Sequence, residues 1–142
     1  MTRPSIFLAV AAAATVVAAA GAQAARGPSV PAALVGKWSK PMSAATWHKN
    51  HISYEPAGHW SIGIAKKGVL TLYAPGFGAL TTAKILAVKP GSIVLGPTAD
   101  GFCAGNASFK WKAAGHTLTF TLVKDDCDAR RVLFTSGPWN RS

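Results

Sequence analysis

Short stretches in which apolar and polar residues alternate recur along the chain after residue 33, and turns containing glycine or proline separate them. Alternation with a period of two residues is typical of strands that bury one face, and helical periodicity is hard to find in this region. Counting these stretches gives eight or nine short strands joined in sequence. The pattern therefore predicts an all-β fold.

The turns indicate how neighbouring strands pair. In the stretch 51–64, the Pro-Ala-Gly loop at 56–58 suits a type I turn closed by a G1 bulge. Pairing Glu55 with His59 then separates apolar from polar residues, and a slip of one residue would mix the two faces. The apolar pairs expected on one face are Tyr54–Trp60 and Ile52–Ile62.

Two later turns extend the same apolar face. The Lys-Lys-Gly loop at 66–68 predicts a hairpin in which Ile62 meets Leu72, and Ile64 meets Leu70. The Pro-Gly pair at 90–91 is expected to turn a longer strand, 80–88, into a strand at 93–95.

The last predicted hairpin joins 107–113 to 116–123 through a turn at Ala114-Gly115. Its expected inner pairs are Trp111–Leu118, Phe109–Phe120 and Ala107–Leu122. Extended outward, this register places position 103 opposite position 126, next to Cys127. We therefore expect Cys103 and Cys127 to approach within the roughly 4.4–6.8 Å between Cα atoms that a disulfide needs.

Consecutive hairpins with one apolar face each need a partner surface, and closure into a barrel supplies it while removing exposed edges. We predict an up-and-down antiparallel β-barrel of about eight strands over 34–142, with a short helical turn near 125–131. A flattened sandwich is the alternative.

Composition changes the interpretation of the first 25 residues. An arginine near the start, an apolar run and the sequence Ala22-Gln23-Ala24 form the secretory signal pattern. We interpret 1–25 as a cleaved signal peptide and 26–33 as a flexible leader. This predicts a secreted or periplasmic protein without a transmembrane segment after cleavage. In such a protein Cys103 and Cys127 form one disulfide by default.

The charge is unbalanced, with 15 Lys and Arg residues against five Asp and Glu residues and a formal net charge of +10. Such an excess favours anionic neighbours, for example an envelope polymer, phospholipid head groups, nucleic acid or an acidic protein. The lysines are scattered along the chain and form no block, which favours solubility alone as the role of this charge. We expect no specific nucleic-acid binding.

The sequence Gly36-Lys37-Trp38 opens the first predicted strand. Here the chain resembles the lipocalin-like (calycin-type) small secreted bacterial β-barrels, which carry a G-x-W motif at this place. The resemblance implies that Trp38 plugs the barrel base under a basic side chain from near the C-terminus, either Arg131 or Arg141. The chain also resembles the secreted bacterial metalloprotease inhibitors, which are small disulfide-stapled barrels.

The inner face of the predicted barrel carries the candidate ligand-binding residues Tyr54, Trp60, Ile62, Leu72, Phe109, Trp111 and Phe120. A barrel of about eight strands can hold one small ligand, so these side chains would then wall an apolar cavity. The alternative is that they only fill the core.

The chain has few residues suited to catalysis or metal binding. A site formed by His48, His51 and His59 would need a convergent geometry that the predicted register does not provide. No nucleophile elbow, glycine-rich phosphate loop or HExxH motif occurs, and Glu55 is expected to face outward. We therefore expect neither an enzyme nor a bound metal or other cofactor.

The sequence Asp125-Asp126-Cys127-Asp128-Ala129-Arg130-Arg131 contains three of the five acidic residues. Three carboxylates can hold Ca²⁺, but their spacing lacks the loop that such sites use. In the structural alternative, which we favour, Asp125 or Asp126 caps a helical turn. The two arginines then neutralise the acids or cover Trp38.

These patterns give two functional hypotheses. The first is an exported, monomeric, non-enzymatic protein that binds a small apolar or amphipathic ligand in the barrel mouth. The alternative is an envelope or extracellular interaction protein, such as a protease inhibitor or a binder of anionic surfaces.

Overall fold

The computed structural model describes residues 28–142, so the predicted signal peptide at 1–25 lies outside the described residues. Eight antiparallel strands close into a barrel in which each strand pairs with its neighbours in sequence and the last pairs with the first. The strands are β1 (Gly36–Met42), β2 (Gly58–Ala65), β3 (Val69–Ala74), β4 (Gly78–Lys89), β5 (Ser92–Thr98), β6 (Ala107–Ala114), β7 (Thr117–Asp125) and β8 (Trp139–Arg141). This confirms the predicted up-and-down barrel and excludes the flattened sandwich.

Two short helices lie at one end of the barrel, which we call the mouth. They are α1 (Ala44–Lys49), between β1 and β2, and α2 (Asp128–Thr135), between β7 and β8. The opposite end, the base, carries the β2–β3, β4–β5 and β6–β7 turns and the segment 28–35. Within residues 28–142, no helix has the length and apolar character that a membrane span requires.

Two predicted turns form as expected. Across the β2–β3 hairpin, Ile62 pairs with Leu72 and Ile64 pairs with Leu70. Across the β4–β5 turn, Lys89 pairs with Ser92. The glycines in these turns, Gly68 and Gly91, have φ angles of 90° and 84°, a region that L side chains rarely adopt.

The hairpin predicted for 51–64 is wrong. Residues 51–55 form no strand, and β2 pairs instead with β1, so that Trp60 lies opposite Lys40 and Ile62 opposite Trp38. The chain before β2 forms α1, which Ser43 caps by accepting a hydrogen bond from the Thr46 amide at 3.1 Å. The predicted register separated the faces cleanly, but this was a local coincidence that the pairing of β1 with β2 overrides.

The predicted register of the last hairpin is wrong by two residues. Trp111 pairs with Phe120 because the turn consists of Gly115 and His116, with Ala114 opposite Thr117. A shift of two keeps each side chain on its expected face. A bulge at Ser108–Phe109 shifts the register by one more residue towards the mouth, so Ala107 pairs with Asp125. The expected inner position of Leu122 is therefore wrong, and its side chain is 41% exposed. The predicted disulfide is nevertheless confirmed, and the Cα atoms of Cys103 and Cys127 lie 5.5 Å apart.

Trp38 closes the base of the barrel. It is fully buried, and its indole nitrogen donates a hydrogen bond of 3.0 Å to the Leu34 carbonyl. The guanidinium carbon of Arg141 lies 4.2 Å from the centre of the Trp38 ring, so Arg141 occupies the covering position. Arg131 does not reach Trp38, because it lies on α2 at the mouth and pairs with Asp128 at 2.7 Å. In the segment expected to be a flexible leader, Val30 is buried in the core.

Helix α2 fills much of the barrel mouth. The ring of Phe134 stacks on Phe109 with centroids 5.2 Å apart and lies 5.0 Å from the ring of Phe120. The helix is longer than the turn predicted near 125–131, and its N-cap is Cys127 rather than Asp125 or Asp126. Asp125 still supports this end, since its carboxylate accepts a hydrogen bond of 2.9 Å from the Cys127 amide.

Candidate functional site: a cavity at the barrel mouth

A cavity of about 210 Å³ lies at the mouth, between α2 and strands β2–β5. Its walls are mostly apolar and include Trp60 from β2, Leu72 from β3, Leu95 from β5 and Leu133 from α2. Phe102, which also lines the cavity, is 56% exposed, so the cavity reaches the protein surface. An apolar recess with a few polar groups at its edge is the usual form of a small-molecule site.

The seven predicted interior residues divide into three groups: two line the cavity, four belong to the core, and one, Tyr54, lies outside the barrel. Trp60 and Leu72 line the cavity. Three others, Ile62, Phe109 and Phe120, are buried in the core beneath it, and Trp111 is partly buried and packs against the same core. For these four side chains, core filling is what the structure shows.

The placement of Tyr54 inside the barrel is wrong. Its side chain is 61% exposed and belongs to the loop between α1 and β2. The ring of Tyr54 lies edge-on to Phe102, with centroids 6.0 Å apart, so two connections meet over the mouth. The physical reason is the same as for the failed hairpin, because without a strand at 51–55 no alternation turns Tyr54 inward.

The loop that carries Tyr54 is held down on two buried tryptophans. The indole nitrogens of Trp47 and Trp60 both donate to the Pro56 carbonyl, at 3.1 Å and 3.0 Å. The two rings meet edge to face with centroids 5.7 Å apart. This arrangement fixes Glu55, the residue before Pro56, at the cavity.

Two carboxylates line the cavity, Glu55 and Asp100. Burial raises the pKa of the Glu55 carboxyl above its usual value, because desolvation disfavours the charged form. A hydrogen bond with the Thr98 side chain lowers the pKa of Asp100, and the Phe102 amide also donates to this carboxylate at 3.1 Å. Among residues 28–142, neither carboxylate forms an ion pair with a basic side chain.

Arg130 is the third charged residue of the lining, and its charge is neutralised within the protein. Its guanidinium binds the buried Asp125 carboxylate through two hydrogen bonds of 2.8 Å and 2.9 Å. The same group donates to the carbonyls of Gly96 and Gly105, at 3.1 Å and 2.9 Å. The acidic segment at 125–131 therefore contains a clasp that ties α2 to the β5–β6 region, and Asp125, one of the three carboxylates considered for Ca²⁺, is paired with Arg130.

Lys40 is buried on the side of the barrel that faces the end of α2. Its ammonium group donates to the Leu133 carbonyl and, at 3.3 Å, to the Gly137 carbonyl, and it lies 5.0 Å from the centre of the Trp139 ring. Burial lowers the pKa of Lys40 to about 8. The two carbonyls and the ring compensate the charge at neutral pH, which makes this residue a support for α2.

The barrel separates positive from negative charge along its axis. All five acidic residues lie at the mouth: Glu55, Asp100, Asp125, Asp126 and Asp128. The base half carries eight exposed basic residues and no acidic one: Lys37, Lys66, Lys67, Lys84, Lys89, Lys110, Lys112 and Arg141. Lysines that are scattered along the sequence come together because every second turn of an up-and-down barrel lies at the same end.

The three histidines considered as metal ligands do not converge. His48 lies in α1, His51 follows this helix with a φ angle of 61°, and His59 lies in β2. In the part of the chain that the structure describes, no three His, Cys, Asp or Glu side chains are placed to share a metal ion.

Sequence reasoning missed most of the lining. Leu80, Thr81 and Thr82 come from a strand whose inner face was not assigned, and Leu133 and Phe134 follow the helical turn predicted near 125–131. The signal for α2 was present, because the apolar positions of 129–134 follow a helical spacing.

Comparisons of the chain with protein-family models, with curated proteins and with solved structures each found no match.

Proposed function

We propose that the protein is an exported, non-enzymatic binding protein of lipocalin-like type, which holds a compact apolar or amphipathic ligand in the cavity at the barrel mouth. The observation that carries this proposal is the apolar cavity itself, bounded by Trp60, Leu72 and Leu133 and open beside Phe102. The G-x-W resemblance at Gly36-Lys37-Trp38 and the covering of Trp38 by Arg141 support the lipocalin-like part.

The volume limits the ligand. An engineered apolar cavity of about 150 Å³ is enough to bind benzene, and pockets for drug-sized ligands start at about 300 Å³. A cavity of about 210 Å³ therefore suits one aromatic ring with a short substituent. Helix α2 sets this limit, since Phe134 occupies the space above Phe109 that an open barrel would leave for a longer ligand.

Exposed apolar side chains surround the opening. Phe77, at the turn between β3 and β4, and Leu80, in β4, are both exposed, as are Tyr54 and Phe102. Large exposed apolar residues that gather at one place mark binding sites more often than plain surface. These side chains can cover the part of a ligand that projects from the cavity.

A titration of isotope-labelled protein with benzyl alcohol, followed by NMR, tests the proposal. We expect saturable shifts for residues of the cavity lining and none at the base. Ala83→Leu, which extends a buried lining side chain into the cavity, should abolish binding. Ala87→Leu is the matched control, because Ala87 lies on the same strand but is exposed and does not line the cavity. Equal binding by all three proteins, or no shift at saturating ligand, would contradict the proposal.

We propose, as a second candidate, that the positively charged base of the barrel binds an anionic polymer or surface of the envelope. The separation of charge favours it, because eight exposed basic residues without an intervening acid create a positive potential at one end. None of the eight basic side chains of the base lines the cavity, so the two candidates are compatible in one molecule.

Retention on immobilised heparin, used as a polyanion, tests the second candidate. The double variant Lys66→Gln/Lys67→Gln removes two charges from the base, and Lys49→Gln/Lys124→Gln removes two from the mouth half. We expect the first pair to lower the salt concentration needed for elution clearly more than the second. Equal effects would mean that only the net charge matters, and the second candidate would fall.

A further inference from the structure

The charged groups at the cavity favour one class of ligand. Glu55 and Asp100 line a mostly apolar recess, and they come from two loops that meet through the contact of Tyr54 with Phe102. In a chain with 15 basic residues, these two carboxylates have no basic partner among residues 28–142. Glu55 is partly removed from water, and a carboxylate in such a place without a counter-charge gains from a cation, whereas Asp100 is exposed and adds its charge at the edge of the opening.

The one cation of the lining does not compensate them. Arg130 forms an ion pair with Asp125, whose side chain is fully buried, and the other hydrogen bonds of Arg130 go to backbone carbonyls. Because this pair is neutral as a unit, the lining carries a net negative charge from Glu55 and Asp100. An anionic ligand would meet repulsion there and would find no free guanidinium to bind.

Aromatic rings stand beside these carboxylates. Trp47 and Trp60 line the cavity under the loop that holds Glu55, and Phe102 lines it beside Asp100. The faces of aromatic rings attract ammonium groups, most strongly when tryptophan is present. A carboxylate together with aromatic walls is therefore a better site for an alkylammonium group than for a neutral polar group of the same size.

We propose that the cavity selects compact cationic amphiphiles, that is, a small aromatic or aliphatic body with a primary or substituted amine. The apolar body lies between Leu72, Leu95 and Leu133, and the ammonium group lies at the opening, between Glu55 and Asp100. The inference rests on the proposed binding function and names the ligand class for the same site.

Three ligands of nearly equal shape test the inference: benzylamine, benzyl alcohol and benzoate. They are measured by NMR titration at neutral pH, where the amine is protonated and the carboxylate is ionised. We expect benzylamine to bind about tenfold more tightly than benzyl alcohol, which corresponds to one modest ion pair or cation–π contact. Benzoate should bind more weakly than the alcohol. The amine preference should shrink at high salt.

Variants of the acidic residues locate the effect. Glu55→Gln and Asp100→Asn should each reduce the preference for the amine over the alcohol and leave the affinity for benzyl alcohol within about twofold. Asp126→Asn is the matched control, because Asp126 is exposed and does not line the cavity, and it should leave the preference unchanged. This control also separates a local effect from a change in net charge.

The outcomes distinguish the inference from the function on which it rests. If benzyl alcohol binds in the cavity but benzylamine binds no more tightly, the site exists and the inference is wrong. If Asp126→Asn lowers the amine preference as much as Glu55→Gln does, the preference comes from the overall negative potential of the acidic residues at the mouth. The inference then also fails. If none of the three ligands binds to the native protein while Ala83→Leu behaves identically, the proposed binding function fails as well.

Discussion

Replacing Arg130 should destabilise the protein far more than replacing its neighbour Arg131. Both arginines belong to α2 and both form an ion pair, Arg130 with Asp125 at 2.8 Å and Arg131 with Asp128 at 2.7 Å. The first pair is buried, and the side chains of the second are 39% and 65% exposed. The two substitutions therefore differ in burial rather than in chemistry.

The expected magnitudes follow from that difference. Arg130→Met leaves the Asp125 carboxylate buried without its partner, and loss of one member of a buried pair costs about 3–5 kcal/mol. Arg131→Met removes an exposed pair that contributes about 0–1 kcal/mol. With a urea dependence of about 2 kcal/mol per molar, the unfolding midpoint should fall by about 2 M for Arg130→Met and by less than about 0.5 M for Arg131→Met.

Urea unfolding followed by far-ultraviolet circular dichroism measures both midpoints. The double variant Arg130→Met/Asp125→Leu serves as the second arm, because replacing a buried pair by apolar side chains is often close to neutral. It should recover a large part of the loss seen for Arg130→Met alone. If Arg130→Met costs no more than Arg131→Met, then the clasp between α2 and the β5–β6 region does not hold the mouth together, and the reasoning is refuted.

Three further predictions concern the disulfide, Lys40 and Gly36. The double variant Cys103→Ser/Cys127→Ser, which opens a loop with a sequence separation of 24, should lose about 3 kcal/mol of stability in thermal unfolding. Added Ca²⁺ or chelator should leave the native melting temperature unchanged, and a large Ca²⁺-dependent shift would restore the calcium site. Burial lowers the pKa of Lys40 from its usual value of 10.5 to about 8. Between these two pH values, the unfolded chain therefore binds more protons at this lysine than the folded protein does. Stability should therefore rise across this interval by up to about 3 kcal/mol relative to Lys40→Met, and a parallel pH dependence of the two proteins would contradict this. Gly36→Ala should cost about 1–3 kcal/mol, since Gly36 has a φ angle of 130° and a Cβ atom there would lie 2.7 Å from Arg141 Nη1. Gly63→Ala, where the nearest atom is 3.5 Å away, should cost clearly less in the same unfolding assay.

The parts of the fold that the sequence predicts well are those with short-range causes. The Lys-Lys-Gly and Pro-Gly turns specify β2–β3 and β4–β5 because glycine supplies the positive φ that each turn needs. The alternation of β6 and β7 is robust from the turn to the bulge, since a register error of two residues left Phe109, Leu118 and Phe120 buried as expected. The disulfide was predicted because both cysteines lie at the open end of the last hairpin, and this argument still holds when the register is wrong by two residues.

The parts that failed depend on long-range packing. Residues 51–55 alternate like a strand, but Trp47 and Trp60 bury themselves under Pro56, and β2 finds its partner in β1. The entry of α2 into the mouth is also a tertiary event, because nothing local shows that Phe134 will stack on Phe109. This one helix fills much of the mouth, leaves a cavity of about 210 Å³, and buries Arg130 rather than Arg131.

Charge is a third case in which topology decides. The sequence shows lysines without any block, and this favoured solubility as their only role. In an up-and-down barrel, the turns at 66–68, 90–91 and 115–116 all lie at the base, so their neighbouring lysines share one surface. The separation of charge therefore follows from the order of the turns along the chain once the strands are known to form an up-and-down barrel.

A crystal structure of the protein soaked with benzyl alcohol gives the most direct test of the cavity as a binding site. We expect ordered ligand density between Trp60, Leu72 and Leu133, with the hydroxyl group directed towards Glu55 and with α2 in the place described above. If Leu133 or Phe102 fills this space and the soaked crystal shows no ligand there, the mouth is a closed core and the protein does not bind small molecules in the way proposed.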